Sequence, residues 1–274
     1  MLRYNFHVGD GAEAAFAWVV PVTNLEAGEW ALAAAAAAGA FHAANVFYAG
    51  SQWFIHADRR ITDAGAVALT FDDGPHPVFT PAVAETLAAL NVPAAFFLIG
   101  RYVREQPALT RDLAAAGHVL GNHTWDHHRW GVFGSSRYWH EQLARTNDAI
   151  AAAAGRPAML FRPPMGFKTW RQAKALKAMN LRVAAWRLRA FDTLPISAAA
   201  IARRIGELAR GGDIITLHDG LEPARRTCSQ EQTCRALPEI IKRLRDRGLR
   251  FVSLTHGLNL PAAPAIAAPP ETNA

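Results

Sequence analysis

From Gly65 onwards the sequence predicts an α/β fold built on a parallel sheet. Three observations lead there. Short β-rich runs alternate with amphipathic runs about seven times, the strand–helix–strand repeat of a parallel sheet, open or closed. Several amphipathic runs stop as helices do, with Gly117, Gly155, Gly211 and Gly248 just past the last apolar turn. Motifs rich in Asp, His and Arg fall directly after strand-like runs, at the carboxyl ends where open parallel sheets and closed barrels both carry functional groups.

In chain order the expected strands are Val67–Phe71, Ala95–Ile99, His118–Leu120, Met159–Phe161, Arg182–Trp186, Ile214–Leu217 and Phe251–Leu254. The expected helices are Thr80–Leu90, Pro107–Ala116, Ser136–Ala154, Arg171–Met179, Ser197–Arg210 and Pro238–Arg247. We take residues 61–260 as one catalytic domain. The Pro- and Ala-rich stretch 261–274 is expected to be a disordered tail.

Residues 1–60 differ from the rest. Ala12–Val22 is too short to span a bilayer, whereas Ala31–Gly50 has about the right length. Alanine is only weakly apolar, however, and His42 and Asn45 interrupt the run. A clean signal peptide is not indicated, since the positive region before the apolar run is Arg3 alone. We read 1–60 as an apolar, Ala-rich segment and 12–50 as a candidate membrane anchor or hairpin, which places the chain at the cell envelope. The alternative is an Ala-rich helix packed on a soluble domain. A single span would keep Arg59, Arg60 and the following domain inside, while two embedded segments would let that domain face outwards.

Hydrophobic residues make up 51% of the 274, enough for a core, and charged residues only 19%, which agrees with an apolar segment. The net charge of +6 could favour anionic partners. The Lys and Arg residues are scattered and no nucleic-acid motif is present, so no nucleic acid is expected. Cys228 and Cys234 lie in a polar, Arg-rich stretch, where a short-loop disulfide and two free thiols are equally compatible.

Four motifs carry chemistry. Thr70-Phe71-Asp72-Asp73-Gly74-Pro75 sets two adjacent carboxylates at the first strand's end, although Asp-Gly and Gly-Pro also punctuate ordinary turns. His123 and His127 stand four residues apart, and on a helical turn they would share one face and suit two imidazole ligands. Eleven histidines would give roughly 0.4 such pairs by chance, so this pair needs support from elsewhere. Arg162-Pro163-Pro164-Met165-Gly166 holds an arginine in a rigid loop. Leu217-His218-Asp219-Gly220 follows the sixth strand, and Asp192 is placed to orient His218. Together they make a complete hydrolytic site. Asp73, His123 and His127 offer one oxygen and two nitrogen donors, which suits zinc with positions left for water. Asp72 can accept a proton from the attacking water, and His218 can donate one to a leaving amine.

The order of these motifs closely resembles the polysaccharide deacetylases with a NodB-type homology domain, carbohydrate esterase family four, over residues 65–257. The resemblance implies a distorted (β/α) barrel of about seven parallel strands. It implies a metal-dependent hydrolase that removes an N-acetyl group from an amino sugar in a glycan or a lipid-linked saccharide. Removal of a formyl group, or of an ester-linked acetate, is the alternative on the same fold. Asp72 matches the base, Asp73, His123 and His127 the metal ligands, and His218 the general acid. Arg162 would steady Asp72, the backbone N–H near Met165 would help stabilise the oxyanion, and Leu217 would line the acyl-methyl pocket. One motif departs: Arg189 and Thr193 stand where many members have Asp and Trp, while Asp192 keeps the second carboxylate. A catalytically silent glycan-binding module would lack Asp72 or a metal ligand, and none is missing.

Overall fold

Strand β1 (Ala66–Gly74) is buried along its whole length. Its first six residues are apolar or Thr, as suits a strand with parallel neighbours on both edges. Those neighbours are β2 (Ala94–Leu98) and β7 (Ile214–His218). The computed structural model describes residues 27–223 and 229–261. Within them β3 (Val119–Asn122), β4 (Leu160–Phe161), β5 (Arg182–Val183) and β6 (Leu188–Arg189) complete a parallel sheet ordered β5-β4-β3-β2-β1-β7-β6. A short β8 (Arg250–Phe251) pairs with the start of β1. This is the expected α/β architecture, seven parallel strands curled into a half-barrel.

Of the expected strand Arg182–Trp186 only Arg182–Val183 is regular, and β6 begins two residues beyond Trp186. Between β5 and β6 the carbonyls of Ala184 and Ala185 accept from Arg162 instead of from a neighbouring strand. The chain before β1 fills the gap. Asp58 pairs with Ala184, and Arg60 pairs with Asp213 just before β7. The chain accordingly divides after Ala44, earlier than the boundary expected at residue 60.

Helices α2 (Phe79–Ala89), α4 (Pro107–Ala115), α5 (Ser136–Ala154), α6 (Trp170–Ala178) and α7 (Ala198–Leu208) fall within two residues of their expected bounds. α3 (Gly100–Glu105) was not expected, and its six residues are too few to show a period. α8 (Glu231–Asp246) starts two turns before the predicted Pro238, because Thr233, Ala236, Leu237, Ile240, Ile241 and Leu244 form one continuous buried face that carries the proline inside. Gly117, Gly155 and Gly248 adopt positive φ past their helices. After α7 it is Gly212, not Gly211, that does so. α9 (Leu254–Gly257) closes the described fold.

Helix α1 (Ala27–Phe47) runs through the division after Ala44 and has no one-sided apolar face, and Gly28–Phe47 is long and apolar enough to cross a membrane. The apolar run Ala12–Val22, Cys228 and the tail from residue 262 lie outside the described residues.

Strand alternation sorts the core. Val67, Leu69 and Phe71 of β1 and Ile215 and Leu217 of β7 pack with Leu237, Ile240 and Ile241 of α8. On the opposite side of the sheet lie Ala66 and Ala68 of β1 and Ile214 of β7. Thr70 and Asp72 of β1, and Thr216 and His218 of β7, continue that side towards the carboxyl ends. Leu217 therefore does not line the acyl pocket as expected. One residue out of phase with His218, it is fully buried in the helix-facing core, and Thr216 takes its place at the cavity. Leu217→Ala should lower unfolding stability by about 2–5 kcal/mol in chemical denaturation, with KM of the folded enzyme unchanged.

Candidate active site

Consecutive residues of a regular strand point to opposite faces, yet Asp72 and Asp73 line one cavity. A β-bulge explains it. The register between β1 and β2 shifts between Asp72 and Gly74, and Asp73 has φ 73°. The bulge turns the second carboxylate back to the side of the first. Backbone contact holds it there: a Cβ at Gly220 would lie 1.9 Å from the Asp73 carbonyl oxygen, so only glycine allows this approach.

The loop after β3 brings His123 and His127 together without the expected helical turn. Thr124 and His127 have φ of 68° and 51°. Asn122 Oδ1 accepts from Thr124 N at 2.9 Å, and Thr124 Oγ1 accepts from His127 N at 3.1 Å. Gln142 of α5 accepts from Trp125 N at 3.0 Å. The two imidazole centroids lie 4.8 Å apart.

Both Nε2 atoms are 3.4 Å from Asp73 Oδ1. That oxygen is buried and has no hydrogen-bond partner. A separation of about 3.4 Å is the edge of a tetrahedron with metal–ligand bonds of about 2.1 Å, so Asp73, His123 and His127 fit a metal ion. His123 is oriented by its Nδ1, 2.7 Å from the Arg162 carbonyl oxygen. Behind His127 stands Glu222, its Oε2 3.6 Å from Nδ1, held in turn by Arg129. Burial favours neutral His127. Burial alone would raise the Asp73 carboxyl, but His127, His123 and His218 outweigh it and hold the group below the usual carboxylate range. A neutral imidazole beside an ionised carboxylate is the state a metal ion requires.

Arg162 follows β4 and has no exposed surface. Its Nη1 donates to Asp72 Oδ1 at 2.7 Å and to Thr70 Oγ1 at 2.8 Å, while Nε and Nη2 donate to Ala184 and Ala185 carbonyls at 3.0 Å each. The guanidinium lies 4.0 Å from the centre of the Phe97 ring.

At the end of β7, His218 Nδ1 lies 2.8 Å from Asp192 Oδ1, and His218 N donates to Asp192 Oδ2 at 2.7 Å. Thr233 Oγ1 supports the same carboxylate at 2.9 Å. This leaves His218 Nε2 for the cavity. Burial alone would lower the His218 pKa, but Asp192, then Asp73 and Asp72, carry it up to about 9. Asp219, also buried, bonds Thr80 Oγ1, and burial pushes its carboxyl up to about 7.

Asp72, Asp73, His123, His127, Met165 and His218 thus surround one narrow cavity of about 40 Å³. Residues 59–184 match the polysaccharide deacetylase family model. A chitooligosaccharide deacetylase of Sinorhizobium fredii is 38% identical over 70% of this chain and 92% of its own length. The chain belongs to the polysaccharide deacetylase family. As a member it is a hydrolase. A peptidoglycan-N-acetylglucosamine deacetylase of Bacillus cereus is 32% identical over 69% of this chain and 66% of its own. Among solved structures, the Bc1960 peptidoglycan N-acetylglucosamine deacetylase superimposes with a TM-score of 0.70 at 29% identity, covering 75% of this chain and 94% of that one.

Set against the expected deacetylase site, the structure adds Trp186, Thr216, Glu222 and Arg129. Trp186 lines the cavity beside Thr193 and Arg189, an aromatic wall where the expected Trp position holds Thr193. Thr216 was findable by counting back two from His218. Glu222 lies in irregular chain and Arg129 opens a short 3-10 turn, and neither carries a local signal.

Arg162→Met should destabilise the fold by about 3–5 kcal/mol, because it leaves Asp72 buried without its counter-charge. The double variant with Asp72→Asn should recover part of that loss, read as the coupling in a denaturation cycle.

Proposed function

We propose that this chain removes the N-acetyl group from an N-acetylglucosamine unit of a glycan or a lipid-linked saccharide, releasing acetate and a free amine. The observation that carries the reading is the convergence of two proton-handling groups, Asp72 and His218, on the cavity that also holds the three-donor cluster. The names of the related enzymes, which act on chitooligosaccharide and peptidoglycan N-acetylglucosamine, support the choice of sugar and a place at the cell envelope. Helix α1 is suited to anchor the chain to a membrane there.

Zinc is the ion that best matches two imidazoles and one carboxylate, and when bound it supplies Lewis acidity towards the acyl carbonyl and lowers the pKa of water. The chain's own groups do the rest. Asp72, held by Arg162, accepts the proton of the attacking water. Met165, left-handed at φ 57° on the cavity wall, offers its N–H to the acyl oxygen as negative charge develops. His218 enters protonated and gives its Nε2 proton to the departing nitrogen, with Asp192 fixing the tautomer.

The test is acyl release by the full chain from N-acetylated, O-acetylated and N-formylated sugars, with chelator and then with zinc restored. Chelator-sensitive acetate from an N-acetylglucosamine oligosaccharide is expected, and Asp72→Asn should lower kcat by at least about a hundredfold. Formate as the sole product would replace the acetyl reading, and full turnover in Asp72→Asn would remove Asp72 as base.

The pH profile gives a second check. His218 must be protonated to act as acid, so turnover should fall as pH rises through the value near 9 set by its carboxylate neighbours. Asp192→Asn removes the main charge that raises it and should move the alkaline limb to lower pH.

A further inference from the structure

Basic residues scattered along the sequence meet in space. A cavity of about 530 Å³ adjoins the catalytic cleft, with Met165, Trp186 and Arg189 lining both. Five arginines line it, Arg59, Arg187, Arg189, Arg204 and Arg210, against a single acid, Glu207. Among the described residues only Arg187 of the five has a carboxylate within ion-pair distance, Asp213 at 3.6 Å.

Three of the others, Arg59, Arg189 and Arg204, are positioned without being neutralised. Arg59 Nε donates to the Trp186 carbonyl at 3.1 Å, and Arg204 Nε to the Arg189 carbonyl at 2.9 Å. Arg204 and Arg189 lie 4.4 and 5.6 Å from the centre of the Phe191 ring. Both hydrogen bonds use Nε, so the terminal nitrogens can serve a ligand. Helix α7 ends here, and its carbonyls would repel an anion. Arg247 covers two of them, donating to Gly206 and Ala209 oxygens. Like charges gathered around one cavity repel each other and focus a positive potential into it. A planar, five-donor cation suits a tetrahedral oxyanion that can accept paired hydrogen bonds.

We propose that this cavity is a second binding site and that it takes a phosphate group carried by the substrate whose acylated sugar occupies the catalytic cleft. The inference rests on the deacetylase reading for the bond that is cut, and it narrows the substrate to a phosphorylated or phosphate-linked amino-sugar saccharide. A neutral oligosaccharide would leave the guanidiniums uncompensated. Phe47, Tyr48 and Phe167 supply an apolar wall to the same cavity, and Phe47 packs edge-on against Phe167 with centroids 5.0 Å apart. In sequence Phe47 ends α1 and Tyr48 follows it directly, so a phosphate borne by a lipid and one on a soluble sugar are the two sources to separate.

Calorimetry on the full chain should show binding of inorganic pyrophosphate, weakened about tenfold in Arg204→Gln and in Arg210→Gln. Among the described residues Arg210 makes no side-chain hydrogen bond or ion pair, so its variant keeps the test valid if Arg204→Gln misfolds. Kinetics should then compare N-acetylchitotetraose, its terminal phosphate ester, and polyprenyl-phosphate-linked N-acetylglucosamine in neutral detergent micelles. In the wild type both phosphate-bearing substrates should show KM about tenfold below the neutral one, and the ratio should approach one in the arginine variants. Equal KM values for all three, or pyrophosphate binding indifferent to both substitutions, would overturn the phosphate site while leaving deacetylation intact. A gain confined to the lipid-borne substrate and unchanged in the variants would overturn it too, by assigning the gain to the lipid. Arginine-dependent pyrophosphate binding with no acyl release from any substrate would support the site and sink the reaction instead.

Discussion

One buried cation organises the site. Arg162 joins Asp72 and Thr70 of β1 to the carbonyls of Ala184 and Ala185, and its own carbonyl orients His123. A fully buried guanidinium is expensive unless its donors are used, and here four bonds and the face of Phe97 use them. The two carbonyls it takes are the ones that would otherwise have continued β5, so the same side chain that holds Asp72 also interrupts the sheet after β5.

Around this cation the site separates its protonation states by environment. His127 is kept neutral by burial, Asp73 is kept ionised by its imidazole neighbours, and His218 is kept charged by Asp192. Two histidines on one cavity therefore take opposite charge. The difference is the balance each one meets: Asp192 hydrogen-bonds His218 at 2.8 Å, whereas at His127 burial and the neighbouring His123 outweigh Asp73 at 3.4 Å and Glu222 at 3.6 Å.

Much of this was legible in the sequence, because strand ends and their motifs are local. Asp72, Asp73, His123, His127, Arg162, Asp192 and His218 sit where reading strand ends placed them. What escaped was non-local or a matter of phase. The early end of the expected strand Arg182–Trp186 depends on Arg162, some twenty residues away in sequence. Leu217 was set in the pocket for its chemistry, and a strand's alternation sends it to the helices. The two histidines converge through left-handed residues rather than a helical turn, and spacing alone cannot distinguish the two. The arginine cavity draws on residues from 59 to 210, so nothing in the linear pattern marks it.

The bulge at Asp73 makes the pairing of the two carboxylates a question of length. Asp72 and Asp73 share a side of the sheet only because β1 carries one residue more than its neighbour across that step. Substitutions nearby can be absorbed by repacking, but deleting either residue between Phe71 and Gly74 removes one carboxylate together with the extra residue of the bulge, so a shortened β1 cannot present both. The site therefore tolerates a change of side chain around the motif more readily than a change in the motif's own length.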